Sequence, residues 1–457
     1  MATRPVNAAA GVRRLGAAGA AVTVATMLTN LLAYLVPMLG ARQLTAADLG
    51  ALATVLAIGA IAGVPSLGLQ IAIAVHRAQH GAAPTGRIAL AAAGLTCAAL
   101  VVAAPVITVT LRLPVVGVAL LAALTVAVVL SGRWLGELQG DQRFVRLAAG
   151  MTLLAVVRYG GIIAGLLLGV GLVGSLLLGV LVAFLTLPAL AWLAAGQHPV
   201  PTSAGATGVG MAPAAAVAPA AGSAPAAGEA AAGVAPAAAV AGGGPVRLDA
   251  KRVMAACSAT LAMLAVSYAD LLLARQLLSA AESGAYAVGS VLTKGALWAP
   301  QVVTVLALPR LARGDARTRA TALALVAASG AVLVSAAAFG GELAFSLAGG
   351  TDYVHLAGYA PFFAATGALY AIAFVLVNAQ VAAGAKWPAA PLWIGVVGLV
   401  AGALLFAPRT IAGVLGSAVI TAAVTIALMA WAARRTPASP LAAPTTAPAD
   451  SEVKISS

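Results

Sequence analysis

Two basic side chains lie where basic side chains are costly. Arg158 stands eleven residues into a long apolar run, roughly 16 Å along a helix at the usual rise, and Lys294 stands about ten residues into another. An ionisable group at membrane depth marks a functional site by default. One cation from each half of the chain suits an anionic group such as a diphosphate, which arginine meets as a planar fork and lysine as a point charge. An alternative stands beside each assignment: Lys294 pairs with Asp270 on the preceding run, and Arg158 binds backbone carbonyls. Asp270, about five residues from the outer end of its run, is expected to be shallow enough to be wetted. It is a candidate either for carrying a proton or cation in a coupling step or for neutralising Lys294 or Arg275. Asn30, Gln70, Gln301 and Asn378, with Gln380, are uncharged polar residues in apolar runs, suited to interhelical hydrogen bonds or to the donors and acceptors of a sugar.

No catalytic constellation accompanies these residues. His76, His80, His198 and His355 are scattered among connecting segments, no Ser-His-acid or paired-carboxylate arrangement can be proposed, and no glycine motif for cradling phosphate occurs. No catalytic residue, metal ligand or cofactor is therefore assigned, and the chain is read as a non-enzyme. Cys97 and Cys257 fall in or beside apolar runs and read as small buried thiols. Glu342 and Asp352 read as solvated ends of an outer turn, while Pro65 and Pro300 occupy nearly equivalent places in the two halves and could bend their helices.

The elements that must hold the two cations follow from composition. In 457 residues, 62% are hydrophobic and only 8% charged, whereas soluble domains carry about a quarter charged. This is the pattern of an all-α polytopic membrane protein. A spanning helix needs about 20 apolar residues. Twelve such runs lie near 17–39, 47–75, 88–111, 113–131, 147–169, 172–195, 253–278, 284–308, 321–345, 357–381, 389–407 and 411–433. They form two bundles of six, 17–195 and 251–435. Residues 1–16 precede them, an Ala-, Pro- and Gly-rich linker over 196–250 joins them, and a similar tail closes the chain over 436–457. The linker and tail offer nothing to pack and are read as disordered. The net charge of +13 could suggest nucleic acid, but the basic residues are spread between apolar runs rather than clustered with aromatics, so no nucleic acid partner is assigned. With both termini cytoplasmic, 19 of the 25 Lys and Arg residues fall on the inner side and four (Arg42, Arg112, Arg275, Arg409) on the outer, Arg158 and Lys294 being the remainder.

A repeated phrase organises the two bundles. Arg42-Gln43-Leu44-Thr45-Ala46-Ala47-Asp48-Leu49-Gly50 recurs as Arg275-Gln276-Leu277-Leu278-Ser279-Ala280-Ala281-Glu282-Ser283-Gly284. In each copy a hydroxyl residue precedes an acid by three, the pattern of a helix N-cap in which the two side chains serve each other's backbone N–H groups. Both copies face outward, so the halves are parallel repeats related by an axis along the membrane normal.

The same residues resemble a known family. The outward turn from Ala41 to Gly50, the Gly68-Leu69-Gln70-Ile71-Ala72 segment followed by Arg77, and the run from Asp270 to Arg275 continuing to Gly284-Ala285-Tyr286-Ala287 are similar to the polysaccharide flippases of the multidrug/oligosaccharidyl-lipid/polysaccharide exporter superfamily. Leu308-Pro309-Arg310-Leu311 and Val377-Asn378-Ala379-Gln380 with Gly384 are similar too, and the long Ala-Pro linker departs from the family's pattern. The resemblance implies two pseudo-symmetric lobes, alternating access and a lipid-linked saccharide as cargo. The expectation is thus a multi-pass flippase of the bacterial inner membrane. It would move an undecaprenyl-diphosphate-linked sugar or oligosaccharide outward for cell-surface polysaccharide assembly, in contact with membrane lipid. Its linker is a candidate attachment segment for polysaccharide-assembly proteins. A small-molecule drug exporter of the same superfamily is the near alternative, and a membrane-embedded polymerase or ligase acting on the same lipid-linked sugars is the more distant one.

Overall fold

The structure, a computed structural model, describes residues 7–81, 84–195, 250–311, 316–382, 385 and 387–435. The expected linker, apart from its last residue, and the expected tail lie outside the described residues. What is described is helical throughout the apolar runs. The first half comprises α1 (Asn7–Gln43), α2 (Ala46–Ala62), α3 (Val64–His80), α4 (Gly86–Leu111) and α5 (Val115–Gly140), then α6 (Phe144–Ala155), a π-helical turn (Val156–Gly160), α7 (Gly161–Leu167) and α8 (Gly171–Ala195). The second half comprises α9 (Ala250–Leu277), α10 (Ala280–Leu311), α11 (Ala316–Phe339), α12 (Gly341–Gly349), a 3-10 segment (Thr351–Tyr359), α13 (Ala360–Ala382), α14 (Ala390–Leu405) and α15 (Ile411–Arg435).

Among the described residues nine helices are long and apolar enough to cross a membrane, or ten with the bent pair α11–α12 counted as one. The remaining apolar runs are α14, only 16 residues long, and α10, whose sequence includes Glu282 and Lys294. Three of the expected runs are interrupted, that at 147–169 by the π-helical turn. The run at 47–75 divides at Gly63, where Pro65 begins α3 in the position that lacks an intrahelical donor requirement. The run at 321–345 is not one straight helix: the chain turns by 89° between α11 and α12. Gly341 there lies so close to the Ala357 carbonyl that a β-carbon would stand 2.6 Å from it. Phe345 anchors the turned segment, packing edge-on to Phe363 at 6.3 Å. Hydropathy reads through such a break because both sides are apolar.

Glycine seams hold the first bundle together. Gly132, Gly136 and Gly140, one per turn of α5, meet α3 at Ser66, Gln70 and Ala74. A β-carbon at Gly136 would lie 2.6 Å from the Gln70 carbonyl. Membrane helices gain little by burying apolar surface from apolar lipid, so close backbone packing supplies the attraction. Gly161 and Gly165 of α7 do the same against Gly179 and Ser175 of α8. The second bundle's core continues into α2 and α3: Leu49, Ala53, Ala57, Ala60 and Val64 share one buried cluster with residues of α9, α10 and α13.

Candidate functional site

Lys294 is held by its own bundle. Its ammonium donates to the Ser267 carbonyl on α9 and lies 3.7 Å from the centre of the Tyr268 ring. Asp270, one turn further along α9 and so on the same face as Ser267, attracts that ammonium and accepts a 2.9 Å hydrogen bond from the Tyr286 hydroxyl. Tyr286 is two turns before Lys294 on α10, so both reach α9 from one helix face. Asp270 is not wetted, contrary to the sequence expectation: only 2% of it is exposed. The cause is lateral packing: α9 lies against α2, α10 and α14, and Leu271 and Tyr286 join the buried cluster there.

Arg158 is placed by backbone irregularity. It lies on the π-helical turn between α6 and α7, where one extra residue per turn redirects side chains; such bulges favour functional sites. The tight α7–α8 seam then fixes the helix on the far side of the turn. Arg158 is buried, its guanidinium carbon 5.8 Å from the Tyr159 ring centre, and it borders a pocket formed with Leu124, Ala127, Leu154, Thr186 and Leu190. Those residues all belong to the first bundle, whereas the groups that engage Lys294, namely Ser267, Tyr268 and Asp270, belong to the second. The structure therefore brings Lys294 and Asp270 together but does not bring Arg158 to them.

The uncharged candidates divide differently. Asn30 is half-buried on α1. Gln70 donates to Gln139 at 2.9 Å, joining α3 to α5, and Asn378 donates to the Phe374 carbonyl of its own helix at 2.8 Å. Gln301 lies within α10, its side chain outside the described set. Cys97 and Cys257 are free thiols, each half-buried rather than fully buried.

Two arrangements are not apparent from the sequence. The first joins the two lobes at the repeated turns. Both copies of the repeated phrase form the expected caps: Thr45 accepts from the Asp48 N–H at 3.2 Å, and Ser279 from the Glu282 N–H at 3.3 Å. The two capped helix starts then cross, with Gly284 against the Ala46 backbone and Gly50 against Ser283. Arg275, buried at the crossing, donates to the carbonyls of Leu111 at 3.0 Å, Ala47 at 3.2 Å and Arg112 at 3.2 Å. Its repeat equivalent, Arg42, is exposed. The recurrence of small residues at Gly50 and Gly284 is the one sequence signal for this contact.

The second arrangement fastens the first bundle at the end where α3 and α5 finish. Arg77 donates to Asp141 at 2.7 Å and pairs with Glu137 at 3.7 Å. Glu137 also accepts from Thr85 at 2.6 Å and from Arg133 at 3.1 Å. In the sequence the arginines stand only as charges of inner segments, because their partners lie more than 45 residues away for all but the Arg133–Glu137 pair.

No protein-family model matches the chain, and no curated protein matches it. Solved structures do match in fold. The lipid II flippase MurJ in an inward closed conformation is 10% identical, with 90% of this chain and 87% of that chain covered at a TM-score of 0.61. A MATE transporter in complex with MaD5 is 14% identical, with 92% and 95% covered at a TM-score of 0.50. The likeness is one of fold: this chain is an all-α polytopic membrane protein built like flippases and exporters.

Proposed function

We propose that this chain is an alternating-access flippase for an undecaprenyl-diphosphate-linked sugar or oligosaccharide, acting in the bacterial inner membrane for surface polysaccharide assembly. The observation that carries the reading is Arg158, a buried guanidinium on a π turn beside a small, mostly apolar pocket. Such a group recognises a diphosphate by paired, charge-assisted hydrogen bonds. The fold likeness to a lipid II flippase and to exporters supports a transporter. In the state described, the lobes are sealed at the outer end by Arg275 and the Gly50–Gly284 crossing. The head group enters from the cytoplasmic side and meets Arg158 while the lipid tail stays in the bilayer. Rocking of the lobes then parts the outer seal and releases the saccharide outside. Lys294 remains within its own lobe during this step, engaged by Ser267, Tyr268 and Asp270.

A drug exporter of the same fold is the second reading, and Asp270 is the residue that favours it, because a buried carboxylate suits a cationic cargo. Lys294 lies within electrostatic reach of that carboxylate, which weights the reading toward an anionic cargo instead. Binding separates the two. Intrinsic fluorescence of the purified chain should respond to undecaprenyl diphosphate and not to undecaprenol or to lipophilic cations. Arg158→Ala should weaken the diphosphate response by about ten- to a hundredfold, the loss of a charge-assisted contact, and Arg158→Lys by less. Equal binding of undecaprenol and its diphosphate would refute the anionic reading.

A further inference from the structure

We propose that the second lobe contains a monovalent-cation site that the chain fills with its own Lys294 ammonium. Three kinds of group that hold a desolvated cation converge on that ammonium: the Ser267 carbonyl, the face of Tyr268 at 3.7 Å, and the negative field of Asp270. The surroundings are interior rather than surface. Ser267, Tyr268, Asp270, Tyr286 and Thr293 are all buried. The Ser267 and Ser290 hydroxyls donate to carbonyls of their own helices, at 3.1 and 2.7 Å. Two further buried oxygens lie on α10 and α13. The Thr293 hydroxyl on α10 and the Tyr370 hydroxyl on α13 are buried without a hydrogen-bond partner among the described residues, and Tyr370 lies within the electrostatic reach of Asp270. A buried hydroxyl without a partner is unusual and calls for an explanation.

The consequence concerns charge balance. Asp270 needs a positive partner to stay charged while buried, and the tethered ammonium supplies one in the state described. The fold of this chain therefore does not depend on sodium or potassium at this position. Removing the lysine stem should leave a cavity that takes a small primary ammonium ion, because the carbonyl, the ring face and the carboxylate all remain. The site lies wholly within the second lobe and is independent of the cargo.

The test is chemical rescue of the full chain in detergent, read as melting temperature. Lys294→Ala should melt below the native protein, and n-butylammonium chloride should raise it saturably, as expected for a ligand that binds only the folded state. Choline chloride at equal ionic strength should not. The native chain should show no amine-specific shift, and the Lys294→Ala, Asp270→Asn double variant should lose the rescue. A folded Lys294→Ala that ignores butylammonium, or a native chain that responds to it equally, would overturn the proposal. If Lys294→Ala does not fold, the isosteric pair decides. Lys294→Met should be destabilised, and adding Asp270→Asn should restore most of the lost melting temperature. Additive losses in the double variant would mean that the ammonium is not serving that carboxylate.

Discussion

Replacing Arg275 with alanine should unlock the outer end of the molecule without unfolding it. The guanidinium makes three hydrogen bonds to carbonyls of α2 and of the α4 terminus, at 3.0, 3.2 and 3.2 Å, from a helix of the opposite lobe. A hydrogen bond from a charged donor contributes about 1.5–3 kcal/mol. The three carbonyls lie at the outer surface and accept water once the lobes part, so the sum is discounted to roughly 2–4 kcal/mol in favour of the sealed state. That corresponds to about a 30- to 700-fold change in the ratio of sealed to open molecules. The readout is a cysteine at position 283. Ser283 is 2% exposed and faces Gly50 across the seam. With Cys97 and Cys257 replaced by alanine, Ser283→Cys should react slowly with a membrane-impermeant maleimide and much faster when Arg275→Ala is added. Arg275→Lys keeps the charge but loses the fork and should fall between. If the folded Arg275→Ala protein labels as slowly as its parent, the seal does not depend on this residue and the assignment is wrong.

Other substitutions test the remaining supports. Gly136→Val should destabilise the α3–α5 seam by about 1–3 kcal/mol through overpacking against the Gln70 carbonyl, seen as a lower melting temperature, while Gly94→Ala, which meets nothing, should be neutral. Tyr286→Phe removes a hydroxyl donor to the buried Asp270 carboxylate and should cost about 1–3 kcal/mol in unfolding by titrated denaturant. Arg77→Ala leaves Asp141 without its partner while Arg133 still holds Glu137, so a loss of about 1–3 kcal/mol is expected, with earlier proteolysis of the connection after α3.

Local features of this chain are legible in its sequence and distant ones are not. The helical runs follow from length and hydropathy, and the caps at Thr45 and Ser279 from four consecutive residues. The bend at Gly340 is hidden because apolar sequence continues through it. The burial of Asp270 defies the sequence expectation because depth along a helix says nothing about which distant helices, here α2 and α14, pack against it. Arg275 looks like its copy Arg42, yet one is exposed and the other spans two lobes, a difference set by partners 163 to 228 residues away. The glycine seams are readable in principle, as Gly132-Gly136-Gly140 and Gly161-Gly165 carry the spacing of small residues that lets membrane helices touch. The direction in which Arg158 points is not, since a π turn has no sequence signature and its effect on side-chain direction is confined to one turn.

The most direct measurement is leaflet-resolved flipping of a labelled undecaprenyl-diphosphate-linked sugar in proteoliposomes of the native chain, with Arg158→Ala beside it. Protein-dependent flipping is expected, falling at least tenfold in the variant while its melting temperature stays within a few degrees of native, since the group removed is a cargo contact. Flipping of that lipid that is undiminished in Arg158→Ala, or absent from the native protein across several head groups while lipophilic cations are exported, would contradict the proposed function.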